Sequence, residues 1–526
     1  MTGRTFVVVV VLALAALSAC TVTPIPVKVP ATTATSAPPA ASVRPNPDHV
    51  RALTGTLRTM RDHFKDFGLE SPGPVDVLDY GIGDLWMRGI DGTGTTIALV
   101  EGWNDPNIDL VMRRFDQIFD LPPADIQTIY PTGSGHLPAT CPPGMVALNT
   151  YGSCDAWAVE LELDVEAAHL MAPYAKIVLA VAPADSEITD DAASQVAPPE
   201  MMQAVENIST HHLADVISIS DDTGESTYTY GKPEIHAQDA GPLTAAAAGV
   251  PLLVGTGDCG VVQNLAVASS QCGNVSRKPD TAAWDDSPWV TAVGGTMPHY
   301  AETGERLEPD TVWQEGKLAE GAGSSAVYVR PAYQNGLVPG PMRAVPDIAM
   351  DAQLGTSEST PMFAGVLALA TQLNHGVVGP VNDPLYAMGP GGAAAGIVDV
   401  TSGSNSVTGA AGLSARPGFD AATGWGTVDA STFVPALVTA VRSHPSSRDR
   451  AAAALARLRG AAHVSGGTLT ASGFLPRHPV RLAVDGRAAA TLTADTTGSV
   501  TYALHAGPGT HTATLTGMLL TETARF

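Results

Sequence analysis

The segment Gly355-Thr356-Ser357-Glu358-Ser359-Thr360-Pro361 precedes an apolar run from Met362 to Ala370, a pattern that sets a serine at the start of a helix. Proline is tolerated in a helix's first turn, because its missing N–H has no intrahelical acceptor to lose. Ser357 is therefore expected just ahead of the helix, where backbone amides and the positive end of the helix dipole stabilise a developing negative charge. A hydroxyl is a weak nucleophile without an adjacent base. Far upstream the chain carries Glu160-Leu161-Glu162-Leu163-Asp164. On a helix Glu160 and Asp164 are four residues apart and share one face. Two buried carboxylates so close cannot both ionise cheaply, and they can share one proton with raised affinity for it. Glu162 and Glu166 form a competing pair on another face, and periodicity alone does not choose between them. A serine nucleophile with a carboxylate base is the chemistry these residues allow.

Those side chains need a scaffold. Short β-rich apolar runs at Thr95 to Val100, Ile177 to Ala182, Val216 to Ser220, Pro251 to Val254 and Trp289 to Val293 alternate with helical patterns. That spacing predicts parallel β-α-β units and an α/β, doubly wound parallel sheet. Open sheets of this type bind ligands outside the carboxyl ends of their strands. Gly255-Thr256-Gly257-Asp258-Cys259-Gly260 lies just beyond one such end, which makes Asp258 a third carboxylate of interest.

The 526 residues leave room for a large domain and a smaller module. With 28 Lys plus Arg against 52 Asp plus Glu, the formal charge of -24 argues against nucleic-acid binding and suits a protein outside the cytoplasm. Residues 1–20 hold Arg4, an apolar stretch from Phe6 to Leu17, and the ending Leu17-Ser18-Ala19-Cys20, the three parts of a secretory signal. This ending resembles a bacterial lipobox, implying cleavage before Cys20, a lipid anchor on its sulfur, and an extracellular, membrane-anchored lipoprotein. Residues 21–47, rich in Thr, Ala, Pro and Ser, read as a tether. An N-terminal extension follows at 48–91, with an amphipathic helix around Arg51 to Phe67. Setting Cys20 aside leaves Cys141, Cys154, Cys259 and Cys272, an even number in an exported chain. The pairings Cys141 with Cys154 and Cys259 with Cys272 would each close a short loop.

A segment at 443–463 reads as a linker helix. Residues 464–526 become Thr-, Gly- and Val-rich, and Leu482, Val484, Leu492, Val500, Tyr502 and Leu504 alternate with polar or small neighbours. Asp485-Gly486 is a hairpin-turn signal. A small all-β immunoglobulin-like sandwich is predicted here, an accessory module with a possible wall or surface ligand.

Taken in order, the motifs resemble those of the sedolisin family of serine-carboxyl peptidases. Glu160, Leu163, Asp164, Val165 and Glu166 match the family's acidic helix. Gly257-Asp258-Cys259-Gly260, the run Ser287 to Thr296, Arg330-Pro331-Ala332-Tyr333-Gln334, Val345-Pro346-Asp347 and Gly355-Thr356-Ser357 with Pro361 keep the family's order across about residues 75–440. The resemblance implies a subtilisin-like peptidase domain at 92–442 that hydrolyses peptide bonds in protein or peptide substrates. It makes Ser357 the nucleophile, Glu160 the base, Asp164 its orienting partner and Asp258 the oxyanion-hole residue. A carboxylate base and a protonated Asp258 imply acidic working pH. Asp399-Val400 and Arg416-Pro417-Gly418-Phe419-Asp420 resemble the family's calcium site, with carboxylates from Asp399 and Asp420 and carbonyls from Val400, Arg416 and Gly418 as Ca2+ ligands.

There are departures from the family pattern. Ser220-Asp221-Asp222 stands where relatives carry Ser, an aromatic residue and Gly in the substrate-pairing strand. The hairpin ahead of Gly-Thr-Ser is nearly absent, and residues 21–90 are too short for the family's large propeptide. No His-Glu-x-x-His or Gly-x-Ser-x-Gly motif is present. Two rivals stand beside the exported endopeptidase: a noncatalytic surface-binding protein on the same fold, and a subtilisin-type enzyme with a histidine base. Retention of all four catalytic residue types argues against the first. Glu160, at the base's position, argues against the second.

Overall fold

The chain is described by a computed structural model that covers residues 43–62, 72–102, 104–132, 154–182, 199–221, 223–264, 272–301, 306–407, 409–444, 446–505, 507 and 509–526. The apolar runs form the strands β1 (Thr96–Glu101), β3 (Lys176–Val181), β4 (Val216–Ile219), β5 (Leu252–Gly255) and β6 (Thr291–Tyr300), joined by β2 (Asp125–Ile129), β7 (Arg306–Val312) and β8 (Ile348–Asp351). They make one sheet in the order β8-β6-β5-β4-β1-β3-β2, with β7 antiparallel on β6 and every other pairing parallel. β4 and β5 are buried along their whole length, as strands covered on both faces must be. The order has a direct consequence for the site. β5, β4 and β1 lie side by side, so the residues that follow their carboxyl ends meet in one place.

Two helical layers cover the sheet. One contains α5 (Cys154–Met171), α8 (Thr356–Asn374) and α9 (Ala430–Ser443), whose Leu161, Val165, Phe363, Val366 and Phe433 share a core. The other contains α6 (Pro199–His211) and α7 (Ala240–Ala248), with Met201, Val205 and Ala245 in a second core. Ser357 is the second residue of α8 rather than a residue ahead of it, and Pro361 lies inside the helix beyond the first turn. The prolyl nitrogen cannot donate to the carbonyl four residues earlier, which is that of Ser357. The Ser220 hydroxyl fills the vacancy, donating to the Ser357 oxygen at 3.2 Å.

The N-terminal extension is part of the core. α1 (Pro47–Asp62) buries Leu53, Leu57 and Met60, and α2 (Pro74–Asp79) and α3 (Ile82–Met87) follow it. Its predicted continuation to Phe67 lies outside the described residues. Trp86 donates through Nε1 to the Met171 carbonyl at 3.2 Å, and the Tyr80 hydroxyl accepts the Asp351 amide at 2.6 Å.

After α10 (Ser446–Leu458) the chain forms two antiparallel sheets. The first is β9 (His463–Ser465), β10 (Thr468–Ala471) and β13 (Val500–Ala503); the second is β11 (Pro479–Val484), β12 (Arg487–Thr493), β14 (Thr512–Thr516) and β15 (Thr521–Arg525), in the order β12-β11-β14-β15. Leu469, Phe474, Val480, Leu482 and Leu515 form their shared core. Asp485 and Gly486 turn between β11 and β12 with φ of 49° and 75°, the two positive values a tight hairpin requires. This module packs on the α6/α7 layer: Leu475 and Leu519 join the core of Met201 and Val205, and Gln203 donates to the Met518 carbonyl at 3.1 Å. The Cys259–Cys272 disulfide is present. The pairing of Cys141 with Cys154 lies outside the described residues.

Candidate active site

Gly355 holds φ at 101° and caps α8, and a side chain there would come within 2.7 Å of Asp258 Oδ2. Only glycine permits both the turn and the approach. Asp258 Oδ1 accepts the Thr356 amide at 2.8 Å and the Thr356 hydroxyl at 3.1 Å, and that hydroxyl accepts the Gly257 amide at 3.1 Å. The loop after β5 is thereby locked to the first turn of α8, beside Ser357.

Glu160 meets the Ser357 hydroxyl from α5, with Asp164 one turn behind it. Burial pushes Glu160 well above the usual carboxylate range; the Ser357 hydroxyl opposes this, while the charges of Glu101, Asp258 and Asp221 add to it. Ser357 Oγ also lies 3.5 Å from the Ser220 carbonyl, at the outer limit of a hydrogen bond. Such looseness is common in substrate-free sites, whose catalytic bonds tighten when substrate arrives. Asp164 is fully buried, and its carboxyl too is held well above the ordinary range, first by burial and then by the charges of Glu101 and Glu160. Its Oδ2 lies 2.9 Å from the Ser220 hydroxyl, whose single hydrogen is shared between Asp164 and the Ser357 carbonyl.

Two contributors escaped the sequence reading. Glu101 ends β1 and is buried, and burial pushes its carboxyl up to about 7, with Asp164 acting against the shift. Glu101 raises both Asp164 and Glu160, so the three buried carboxyls form a group that favours fewer charges than carboxyls. The signal available was position: Glu101 is the carboxylate at the ligand-binding end of an apolar strand. Ser220 was noted for the departure that follows it, yet its hydroxyl joins Asp164 to the nucleophile's carbonyl. The competing pair faces elsewhere. Glu162 lies against Asp105, and Glu166 feels Glu162 and Asp116.

Asp399 and Asp420 converge on the turn at 416–418. Asp399 Oδ2 accepts the Gly418 amide at 2.7 Å, and Asp420 Oδ2 accepts the Arg416 amide at 2.6 Å. Val400 is buried beside them. Among the described residues no group of three or more His, Cys, Asp or Glu side chains could hold a metal.

Fold and site define a mostly parallel α/β protein of subtilisin-like architecture with a serine backed by carboxyl groups. No family model matches the chain. It is 27% identical over 399 residues to kumamolisin of Bacillus sp. (strain MN-32), covering 70% of this chain and 64% of that protein. Sedolisin of Pseudomonas sp. (strain 101) is 31% identical over 258 residues, covering 44% of this chain and 42% of sedolisin. Tripeptidyl-peptidase 1 of Canis lupus familiaris is 30% identical over 239 residues, 37% of this chain and 38% of that protein. The chain thus spans less than two thirds of the length of these relatives. The solved structure of Pseudomonas sedolisin, a serine-carboxyl proteinase complexed with two molecules of pseudo-iodotyrostatin, superposes with a TM-score of 0.54 at 26% identity, covering 67% of this chain and 94% of that one. The resemblance to the sedolisin family, read from the order of motifs, holds in both sequence and fold.

Proposed function

We propose that this chain is an exported serine-carboxyl endopeptidase that cleaves protein or peptide substrates at acidic pH. The observation that carries the reading is the row Glu101, Asp164, Glu160, Ser357 at the start of α8, with Asp258 locked to the same turn. Ser357 Oγ attacks the scissile carbonyl while its proton passes to Glu160, and a serine ester forms as the C–N bond breaks. Glu160 returns the proton to the leaving amine and then accepts one from the water that hydrolyses the ester. Asp164, sharing protons with Glu101, holds Glu160 in place and limits the negative charge around it. Asp258 anchors through Oδ1, so a proton on Oδ2 can serve the tetrahedral oxyanion, where a preorganised donor is strongly catalytic. The scheme needs Glu160 ionised to take the serine proton and Asp258 protonated to donate one, and it is the Asp258 requirement that calls for acid.

Calcium belongs to the same proposal. The donor set is all oxygen and its two carboxylates grip one turn, which fits a hard cation. Asp399, Asp420 and the carbonyls of Val400, Arg416 and Gly418 would hold it, and the ion would brace the loop between the short paired strands Ile397–Val398 and Thr427–Val428, just ahead of α9. We further assign residues 1–20 as a lipoprotein signal with a lipid anchor on Cys20, 21–47 as a tether, 92–442 as the peptidase domain and 464–526 as an immunoglobulin-like module for a wall or surface ligand. The two antiparallel sheets support the last assignment, and a diacylglyceryl mass on the Cys20 peptide would test the anchor.

The test is hydrolysis of an unfolded protein between about pH 3 and pH 8, near the pKa values such chemistry needs, with and without calcium. Acid-favoured turnover is expected, reduced by roughly 10³-fold or more in Ser357→Ala and Glu160→Gln. Full activity in Glu160→Gln would sink the carboxylate mechanism. Equal background turnover in wild type and both folded variants would favour a binding protein. Calcium should raise the melting temperature of wild type but not of Asp420→Asn.

A further inference from the structure

Ser357 opens α8, which follows the carboxyl end of β8, and β8, β6 and β5 run parallel. The amino ends of β5 and β6 therefore lie at the other end of the sheet from the nucleophile. A cavity of about 350 Å³ opens there, beside Leu252 and Thr291, the first residues of those strands. That volume falls within the roughly 300–1,000 Å³ of small-molecule sites. One wall is apolar and made of rings: Pro288, Trp289, Pro331 and Tyr333. It is held in place by hydrogen bonds. The Tyr333 hydroxyl donates to the Pro288 carbonyl at 3.2 Å and accepts from Asn382 Nδ2 at 3.1 Å, while Asn382 Oδ1 accepts the Thr291 hydroxyl at 2.7 Å. A wall fixed beforehand does not have to be ordered by its ligand.

The facing wall is α10. Arg450, Ala453 and Arg457 line the cavity from one face of this helix, at spacings of three and four residues. The two arginines differ. Arg450 pairs with Asp383, also in the lining, and so ties α10 to the short helix Asn382–Met388. Arg457 is exposed and makes no ion pair or side-chain hydrogen bond among the described residues. With two arginines against one aspartate the lining is positive, although the chain carries -24. Charge and shape agree on an anion that bears a ring. We infer that this cavity binds a small carboxylate carrying an apolar ring, with the ring against Trp289, Tyr333 and the prolines and the carboxylate at Arg457. Rings pack well on aromatic faces, and an arginine–carboxylate bond is charge-assisted and can be bidentate. Free aryl acids and the C-terminal aromatic residue of a peptide share this chemistry. Either would join the amino end of the sheet to α10, the helix that leads into the terminal sheets.

The experiment measures calorimetric binding of indole-3-acetate and of the peptide Gly-Gly-Trp, each as the free acid and as the neutral amide. The full chain is used with Ser357→Ala, so that peptides survive. At least one acid should bind saturably and about tenfold more tightly than its amide, and Arg457→Gln should remove that advantage. Ala453→Phe fills the cavity without changing its charge and should also weaken the acid about tenfold. Both positions are exposed, so the variants should keep the parent melting temperature, which verifies their folding. Tighter binding of the peptide acid would assign the site to a peptide end, and tighter binding of indole-3-acetate to a free acid. Peptide binding that survives both substitutions belongs to the catalytic cleft and counts against the site. Equal affinity for acid and amide, affinity unchanged in either variant, or no saturable binding by any probe would overturn the inference. Hydrolysis at Ser357 is untouched by these outcomes, so the peptidase reading stands or falls separately.

Discussion

Glu101 raises the proton affinity of both Asp164 and Glu160. Replacing Glu101 by Gln removes one charge and keeps a hydrogen-bonding side chain of the same shape. Glu160 should then lose its proton more readily, so the acid limb of the kcat/KM profile should move down by about one pH unit. An unmoved limb would show that Glu101 is uncoupled from the base. The grouping of Glu160, Asp164, Asp258 and Ser357 was legible because individually weak motifs kept one family's order along the chain. Glu101 was not, since it sits at the end of an apolar run whose other members speak only for a strand. Ser220 was equally silent: a serine at a strand end has many ordinary uses, and its value lies in two acceptors, on α5 and α8, that sequence does not place.

At the scale of elements, Pro361 does what its position in α8 dictates. Its missing N–H leaves the Ser357 carbonyl to Ser220. Pro361→Ala should restore the helical bond and compete with Ser220; kcat is expected to fall about tenfold with no loss of melting temperature, the loss arising from a misdirected nucleophile. A second element-level device joins α2 to the end of β8. Asp76 and Asp351 contact one another, both buried, and Glu358 on α8 adds its charge to Asp76 while Asp310 adds its own to Asp351. Tyr80 and Asp79 border the same cluster. Burial lifts Asp351 to about 7 and Asp76 well above its ordinary value. Unfolded carboxyls titrate near about 4. Between these values the native state binds more protons, so this contribution is complete below about pH 4 and is lost as pH rises through about 7. Asp76→Asn should therefore narrow the difference in melting temperature between about pH 5 and pH 8, and an unchanged difference would exclude the pair as its source. The strands of the sheet were readable because parallel strands buried on both faces are continuous apolar runs. The position of Pro361 was misjudged because a helix start cannot be set to within a turn when Gly, Thr, Ser and Pro crowd it.

On the scale of the whole molecule, the terminal sheets are seated on the α6/α7 layer through Leu475 and Leu519. Removing residues 464–526 should expose that apolar surface, lowering the melting temperature and the soluble yield of the remainder; a truncated protein with the wild-type melting temperature would contradict this seating. The contact was invisible in sequence because both leucines lie in loops between strands, where alternation says nothing of what they face. The two sheets themselves were foreseen from alternation and from Asp485-Gly486. The seating also decides how anything the module grips would be presented to Ser357. A module on a slack leash lets the catalytic groove sample every bond within reach of a captured polymer. A bolted one fixes the bearing and the stand-off, so the cut would fall at a set offset from the point of attachment, as with a ruler.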